Sequence, residues 1–169
     1  MQEPWGYTFI GGVPAKARWL VEVTRGRPDG QGWFPSEGAY YVPNIVTQGG
    51  ADYLASRIGS RAIGTNSTMA ATAIGTVSTA ATLSDATITG EVDRKLFDST
   101  SLNANTWVIV NTWGGGADAV TSVVIVEAGI ANDIGSGQGI LFNRVVFASV
   151  TLADSDFLKL QLETQVHSY

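Results

Sequence analysis

The alternation of apolar and polar residues near the C-terminus constrains the fold more than any other feature. Successive side chains of a β-strand point to opposite faces of its sheet, so a strict alternation predicts a strand with one buried and one exposed face. Residues 16–24 show this pattern, with Trp19, Val21 and Val23 on the apolar face. Residues 157–166 show it most clearly, in the order Leu158, Lys159, Leu160, Gln161, Leu162, Glu163.

Short segments of this kind recur along the chain and are separated by glycine-rich turns. A helical pattern occurs at residues 47–58, where Thr47 is suited to cap the first turn and Gly59 to end the last. This combination predicts an all-β fold, an antiparallel β-sandwich that is jelly-roll-like and carries one short α-helix near 47–58. The remaining predicted strands are residues 39–46, 71–76, 91–99, 105–113, 119–127 and 139–150.

The N-terminal part of the chain is expected to differ from the rest. We predict an N-terminal arm, a strand and a Gly/Pro-rich loop over residues 1–43, followed by the β-sandwich domain over residues 44–169. Met1 to Gly6 lacks the basic start and apolar core of a secretory signal. No apolar run approaches the length of a membrane span, so we expect no membrane partner.

Aromatic residues mark the predicted contacts with neighbouring subunits. Trp5, Tyr7 and Phe9 are spaced by two, so an extended chain places them on one side. They belong either to an edge strand of the chain's own core or to an arm that lies on a neighbouring subunit. Trp33 and Phe34, in the Gly/Pro-rich loop, complete the predicted set of intersubunit contacts.

Composition narrows the classes of partner. Charged residues make up 15% of the chain, against about 25% in ordinary soluble domains. This low share favours a protein whose surface is largely covered by partners. The net charge is −5 and no basic cluster is present, so we expect no nucleic-acid partner. The chain has no cysteine, which excludes disulfides, thiolate metal sites and cysteine nucleophiles.

The residues that bear chemistry do not form a recognisable catalytic set. The single histidine, His167, lies near the C-terminus and is poorly placed to act as a general base. Glu91 and Asp93 are predicted to share a face of one strand beside Arg94 and Lys95, as a surface salt-bridge cluster. We therefore predict no catalytic and no cofactor-binding residues, and a protein that is not an enzyme.

Two further acidic sites have structural interpretations. Glu127 follows an apolar strand, and if it is buried it needs a cationic partner, for which Arg94 and Arg144 are the candidates. We predict a structural salt bridge there. Asp154-Ser155-Asp156 resembles a fragment of a calcium loop, but the glycine and distal glutamate of such a loop are missing. We read it as a hairpin turn and predict no metal site.

Trp107 and Trp113 are spaced by six, which places both on one face of an extended strand. Two indole rings on one face can form a platform on which a sugar ring stacks, whereas packing in a core or interface is the alternative. A carbohydrate-binding module therefore stays among the candidate functions.

The order of motifs over residues 44–166 resembles that of small structural proteins of tailed-phage particles, namely head-decoration and tail-fibre-associated proteins. The segments that carry the resemblance are Asn44-Ile45-Val46-Thr47 before the helix, Thr72-Ala73-Ile74-Gly75-Thr76, Thr79 to Asp85, Glu91-Val92-Asp93-Arg94-Lys95, Glu127-Ala128-Gly129-Ile130, Leu141 to Phe147 and Phe157 to Val166. Residues 1–43 lie outside the pattern.

The resemblance implies a virion structural protein that is made in the host cytoplasm. Its first implied function is capsid decoration (cement), which stabilises the head shell against internal pressure. A tail or tail-fibre adaptor or base component is the alternative. By analogy with such proteins we expect a homo-oligomer, a trimer, that contacts the major capsid protein or tail proteins. Deletion of residues 1–15 is then expected to leave a folded domain that no longer binds shells.

Overall fold

The chain folds into two antiparallel sheets that pack face to face, as the sequence predicts. A computed structural model describes residues 6–10, 13–26, 38–59, 69–114 and 120–166. The elements are β1 (Gly6–Ile10), β2 (Val13–Thr24), β3 (Ala39–Pro43), β4 (Ile45–Val46), α1 (Gln48–Gly59), β5 (Ala71–Gly75), β6 (Glu91–Leu96), β7 (Ser99–Asn103), β8 (Thr106–Gly114), β9 (Val124–Ala131), β10 (Leu141–Thr151) and β11 (Phe157–Val166).

The strand order places the N-terminal segment inside the first sheet. Sheet I has the order β1-β2-β11-β8-β7, with β3 also beside β2, and sheet II has the order β4-β10-β9-β5-β6. β1 and β3 follow one another along the same edge of β2, because Gly6 pairs with Ala17 and Pro43 pairs with Arg18. β11 covers the other edge of β2 over its full length.

The core lies between the two sheets and includes β2. Trp19 and Val21 of β2 are almost fully buried, beside the alternating leucines of β11 and Trp113 of β8. Burial of one such large apolar side chain contributes about 1.5–3 kcal/mol. The predicted division at residue 43 therefore does not separate an arm from a core, since residues 13–24 form an inner strand of the sandwich.

Most predicted strands are present, with shifts at their ends. The prediction for 157–166 is confirmed residue for residue, and the segments at 71–76, 105–113 and 139–150 are confirmed to within two residues. The single strand predicted over 91–99 is wrong. The chain bends at Phe97 and Asp98, so that β6 lies in sheet II and β7 lies in sheet I.

The chain also passes from one sheet to the other at two further connections whose residues are all described. Pro43-Asn44 separates β3 of sheet I from β4 of sheet II, which divides the extended segment predicted over 39–46. Residues 152–156 lead from β10 of sheet II to β11 of sheet I. The hairpin turn predicted at Asp154-Ser155-Asp156 is therefore wrong, because the strands on either side of it belong to different sheets.

The predicted helix is confirmed and is anchored to β10. The hydroxyl oxygen of Thr47 accepts a hydrogen bond from the Gly50 amide (3.1 Å) and so caps the first turn. The same hydroxyl donates to the carbonyl oxygen of Leu141. The Gly50 backbone lies directly against the main chain of Phe142. Among the described residues, no helix is long and apolar enough to cross a membrane.

Two adjacent glycines of α1 provide a matched test of this packing. We expect Gly50→Ala to lower the free energy of unfolding by about 2 kcal/mol, because the added methyl group would overlap the Phe142 carbonyl and force the helix from the sheet. Gly49→Ala is the control. Its methyl group would lie 3.3 Å from the Ile140 side chain, and the gain in helix propensity of up to about 1 kcal/mol offsets that contact. Urea unfolding of both variants measures the difference, and equal midpoints would contradict the packing of Gly50.

Candidate functional site

Glu127 and Arg144 form the salt bridge that holds the outer face of sheet II. Their neighbours Ala128 and Val145 belong to the core between the sheets, so Glu127 and Arg144 point to the opposite face. The Nε atom of Arg144 donates to Glu127 Oε2 over 2.7 Å. Both side chains are buried, with 2% and 0% of their surfaces exposed. Of the two partners considered for Glu127, the structure therefore places Arg144 beside it.

Residues 76–90, the β5–β6 connection, cover this ion pair. The terminal nitrogens of Arg144 donate to the carbonyl oxygens of Val77 (3.4 Å), Thr79 (3.0 Å) and Ala80 (3.5 Å). Glu127 accepts from the Val77 amide over 3.2 Å. Each buried charge thus meets main-chain groups as well as its partner, which is the condition for burying an ion pair without a large penalty. The β5–β6 connection is therefore bound to the outer face of sheet II.

Asp85 completes the cluster from within the connection. Its carboxylate accepts from Arg144 over 2.8 Å and from the amide and hydroxyl of Thr82 over 2.9 and 2.7 Å. Burial would raise the pKa of Asp85, but the hydrogen bonds from Thr82 and Arg144 outweigh it and hold that pKa below its ordinary value. Burial would likewise lower the pKa of Arg144, whereas its bonds to Asp85 and Glu127 raise it.

Arg94, the other candidate partner, serves a second cluster. It forms an ion pair with Glu91 (2.7 Å) in which both side chains are nearly buried. One of its terminal nitrogens also donates to the carbonyl oxygens of Asp133 and Gln138, each over 2.9 Å. Arg94 thereby holds the turn between β9 and β10 against β6. The salt bridge predicted here as part of a surface cluster is therefore a nearly buried structural contact between Glu91 and Arg94.

The predicted shared face of Glu91 and Asp93 is wrong, because β6 contains a bulge. Asp93 pairs with Ile74 and Glu91 pairs with Gly75, so Val92 is an extra residue in the register. Asp93 therefore turns toward sheet I, where it accepts a hydrogen bond from the Trp113 indole over 2.7 Å. The two carboxylates lie on opposite faces and serve different contacts.

Of the two alternatives for Trp107 and Trp113, the structure shows core packing and not a sugar platform. Trp113 is 0% exposed and belongs to the core between the sheets. Trp107 packs edge-on against Phe97 and Phe142, each with 6.3 Å between ring centroids, and its indole donates to the Thr100 hydroxyl. Both rings do share one face of β8, but that face points into the protein, so a sugar cannot stack on the pair.

Asp156 stabilises the connection between β10 and β11. Its carboxylate accepts from the amides of Ala153 and Gly26, each over 3.0 Å, and from Arg25 over 2.6 Å. Burial would raise the pKa of Asp156, but these three contacts lower it below the ordinary value. Within the described part of the chain, no group of three or more acidic or histidine residues is arranged to hold a metal ion.

An uncharged open strand lies at one side of the sandwich. β7 pairs only with β8 among the described strands, and all five of its residues are exposed. It contains no proline and no charge, the usual devices that protect an edge strand from pairing with another chain. Leu102 on β7 and Leu96 on the adjoining end of β6 are 75% and 58% exposed. We call β7 with these two leucines the β7 edge.

The aromatic contacts predicted for the N-terminal part are only partly placed. Tyr7 and Phe9 lie on β1, whose backbone pairs with β2 of the same chain. The backbone of this segment thus follows the edge-strand alternative. Trp5, Trp33 and Phe34 lie outside the described residues, as does His167. Their role as intersubunit contacts stays a prediction.

The β7 edge could not be predicted from the alternation of apolar and polar residues, because residues 99–103 lack that pattern. The available signal was Asn103-Ala104-Asn105 before a clear strand, since a short polar turn favours a hairpin. The role of Asp85 was missed for another reason. Its contact with Arg144 joins segments 59 residues apart in sequence, and no local pattern encodes such a distance.

A double-mutant cycle tests the buried pair. We expect Arg144→Met to lower the free energy of unfolding by about 3–5 kcal/mol, because it leaves Glu127 buried without its cation. The Glu127→Gln variant and the double variant should reveal a coupling of about 1–3 kcal/mol in urea unfolding. Lys159→Met is the control, since its pair with Glu22 is partly exposed and should contribute at most about 1 kcal/mol. A cost for Arg144→Met no larger than for the control would contradict the cluster.

The acid dependence of stability follows from the lowered pKa values of Asp85 and Asp156. A carboxyl group whose pKa is lower in the folded state stabilises the fold above its unfolded pKa, about 3.9, and that contribution is lost as the pH falls through the folded value. We therefore expect the free energy of unfolding to fall steeply below about pH 4. Urea unfolding at a series of pH values measures this slope. Asp85→Asn with Asp156→Asn should flatten it, and an unchanged slope would show that other groups dominate.

Comparison with known proteins found no family model, no curated protein and no solved structure that matches this chain.

Proposed function

We propose that this chain is a capsid decoration (cement) protein of a tailed phage, a virion subunit that binds the head shell and stabilises it. The observation that carries the proposal is the β7 edge. An exposed strand with unpaired main-chain groups and no protective charge is suited to strand addition by a neighbouring protein. Its exposed leucines supply apolar contact area beside the strand.

The contacts of the buried charged residues support a structural protein over an enzyme. Glu127, Arg144 and Asp85 are committed to one another and to main-chain groups, and Glu91 and Arg94 form a second such cluster. A catalytic carboxylate needs room for a substrate and access to the proton it transfers. These carboxylates have their oxygens occupied by the fold itself, so they act as structural contacts.

The resemblance of residues 44–166 supports a place in the phage particle and a homo-oligomer, a trimer by analogy. The major capsid protein is the proposed partner at the β7 edge. Decoration proteins bind at many equivalent sites on a shell, whereas tail and fibre components are present in few copies. Quantitative gel analysis of purified particles therefore tests the location. Hundreds of copies per particle agree with decoration, and a few tens would assign the chain to the tail.

Two exposed leucines provide a matched test of the β7 edge. We expect Leu102→Lys to weaken binding to undecorated shells at least about tenfold, because a lysine on an edge strand opposes pairing with another chain. The fold should be unchanged, since Leu102 is 75% exposed. Co-sedimentation of the purified variant with shells measures the binding.

Leu83→Lys is the control, because Leu83 is also exposed (61%) but lies in the β5–β6 connection. It introduces the same charge without touching the edge and should bind as the unmodified chain does. Equal binding of both variants would remove the β7 edge from the contact. Equal weakening would indicate a general effect of charge.

A further inference from the structure

A cleft of about 530 Å³ lies on sheet II away from the β7 edge, between the Pro43-Asn44 corner and the β5–β6 connection. Its lining includes the apolar side chains of Ile45, Ala80 and Val146. β4 forms one border and pairs only with β10 among the described strands. The cleft therefore combines apolar walls with an unpaired strand edge, which is the chemistry of an extended-peptide site.

Asn44 indicates what kind of group the cleft is built to receive. Its side chain is buried, with 6% of the residue exposed. Neither the amide nitrogen nor the amide oxygen has a hydrogen-bond partner among the described residues. A buried carboxamide without partners is costly, and it offers one acceptor and one donor side by side. A main-chain peptide group provides the complementary donor and acceptor.

The register of sheet I shows which strand begins beside this cleft. Gly6, the first residue of β1, pairs with Ala17, and the next position along the β2 edge is already filled by Pro43 opposite Arg18. The β2 edge beyond Gly6 is therefore occupied, and β1 begins beside the Pro43-Asn44 corner. Five extended residues reach about 17 Å, far enough to meet a neighbouring subunit.

The sequence of residues 1–5, which precede β1, fits the cleft. Met1-Gln2-Glu3-Pro4-Trp5 contains a proline that favours an extended backbone before it and an indole that suits an apolar wall. Because Asn44 finds no partner within the described part of its own chain, the partner is expected from outside it. We propose that the cleft beside Asn44 receives residues 1–5 of a second copy of this chain. The inference rests on the proposed function as a homo-oligomeric virion protein and assigns one contact between its subunits.

Disulfide cross-linking between two distinguishable copies tests this exchange of residues 1–5 between subunits. The chain has no cysteine of its own, so only the introduced cysteines can form the link. Gln2→Cys is introduced in one copy, and Ser78→Cys, at the cleft, in a second copy enlarged by a tag. The mixed copies are oxidised and separated on a non-reducing gel. We expect a band of hetero-dimer size from this mixture. A tagged Ser101→Cys copy, with its cysteine on β7, is the control and should give at least about tenfold less of that band.

Asn44→Ala adds a readout for the carboxamide. We expect it to reduce the hetero-dimer band several-fold while leaving the urea midpoint of the isolated chain unchanged or higher, since it removes a group without partners. Asn103→Ala, an exposed asparagine on β7, is the matched control and should leave the band unchanged. A mixture without the hetero-dimer band overturns the proposal, whether or not an intramolecular link forms when both cysteines are in one chain.

The cross-linking assay and the shell-binding assay test separate proposals, so a negative result in one does not imply a negative result in the other. Loss of the cross-link with shell binding retained would refute the exchange and leave the decoration role standing. A cross-link in a protein that binds no shell would support the exchange and refute decoration. Any deletion made for these assays should end at residue 5 and not at residue 15, because β1 and the start of β2 belong to sheet I.

Discussion

The buried ion pair between Glu127 and Arg144 is the interaction on which the outer half of the structure depends. It lies on the outer face of β9 and β10, which would otherwise be exposed to water. Main-chain carbonyls and Asp85 of the β5–β6 connection bind to Arg144 and hold that connection over the ion pair. An apolar pair of similar volume could fill the same space with equal or better stability. The ion pair adds directional hydrogen bonds. The five N–H donors of the guanidinium have fixed directions, so they are satisfied by only one arrangement of the chain above it. We infer that this cluster specifies the path of residues 76–90 more than it increases stability.

A second polar contact acts between the sheets, where such contacts are least expected. The Thr72 hydroxyl on sheet II donates to Asn111 on sheet I over 2.5 Å, and the Asn111 amide donates to the carbonyl oxygen of Leu96 over 2.7 Å. Both side chains are fully buried, so a shift of one sheet across the other would leave them without partners. Large apolar side chains such as Trp19 and Leu160 hold the sheets together, whereas this pair fixes their register.

The sequence alone predicted the parts of the fold that local patterns encode. Leu158, Leu160 and Leu162 alternate with polar residues, and that alternation is sufficient to define β11 because one of its faces is buried along its whole length. It was insufficient at Glu91 and Asp93, where the bulge at Val92 reverses the expected face. It was also insufficient at residues 97–98, where a continuous pattern conceals a change of sheet. At the candidate site, burial of Glu127 predicted the need for a cation, but the choice between Arg94 and Arg144 depends on the strand order, which no local spacing encodes.

The strand order also explains why the two candidate contact surfaces differ in chemistry. On one side, β1 lies against α1 and β4 near the Pro43-Asn44 corner, and the open space there is a cleft suited to a short segment. On the other side, the passage from β6 to β7 leaves two edge strands side by side. Sheet II presents charged residues there, whereas sheet I presents the uncharged β7, so only one of the two edges is protected. A subunit that meets its own copies through the cleft and a shell through the β7 edge can make both contacts at once, because the whole sandwich lies between them.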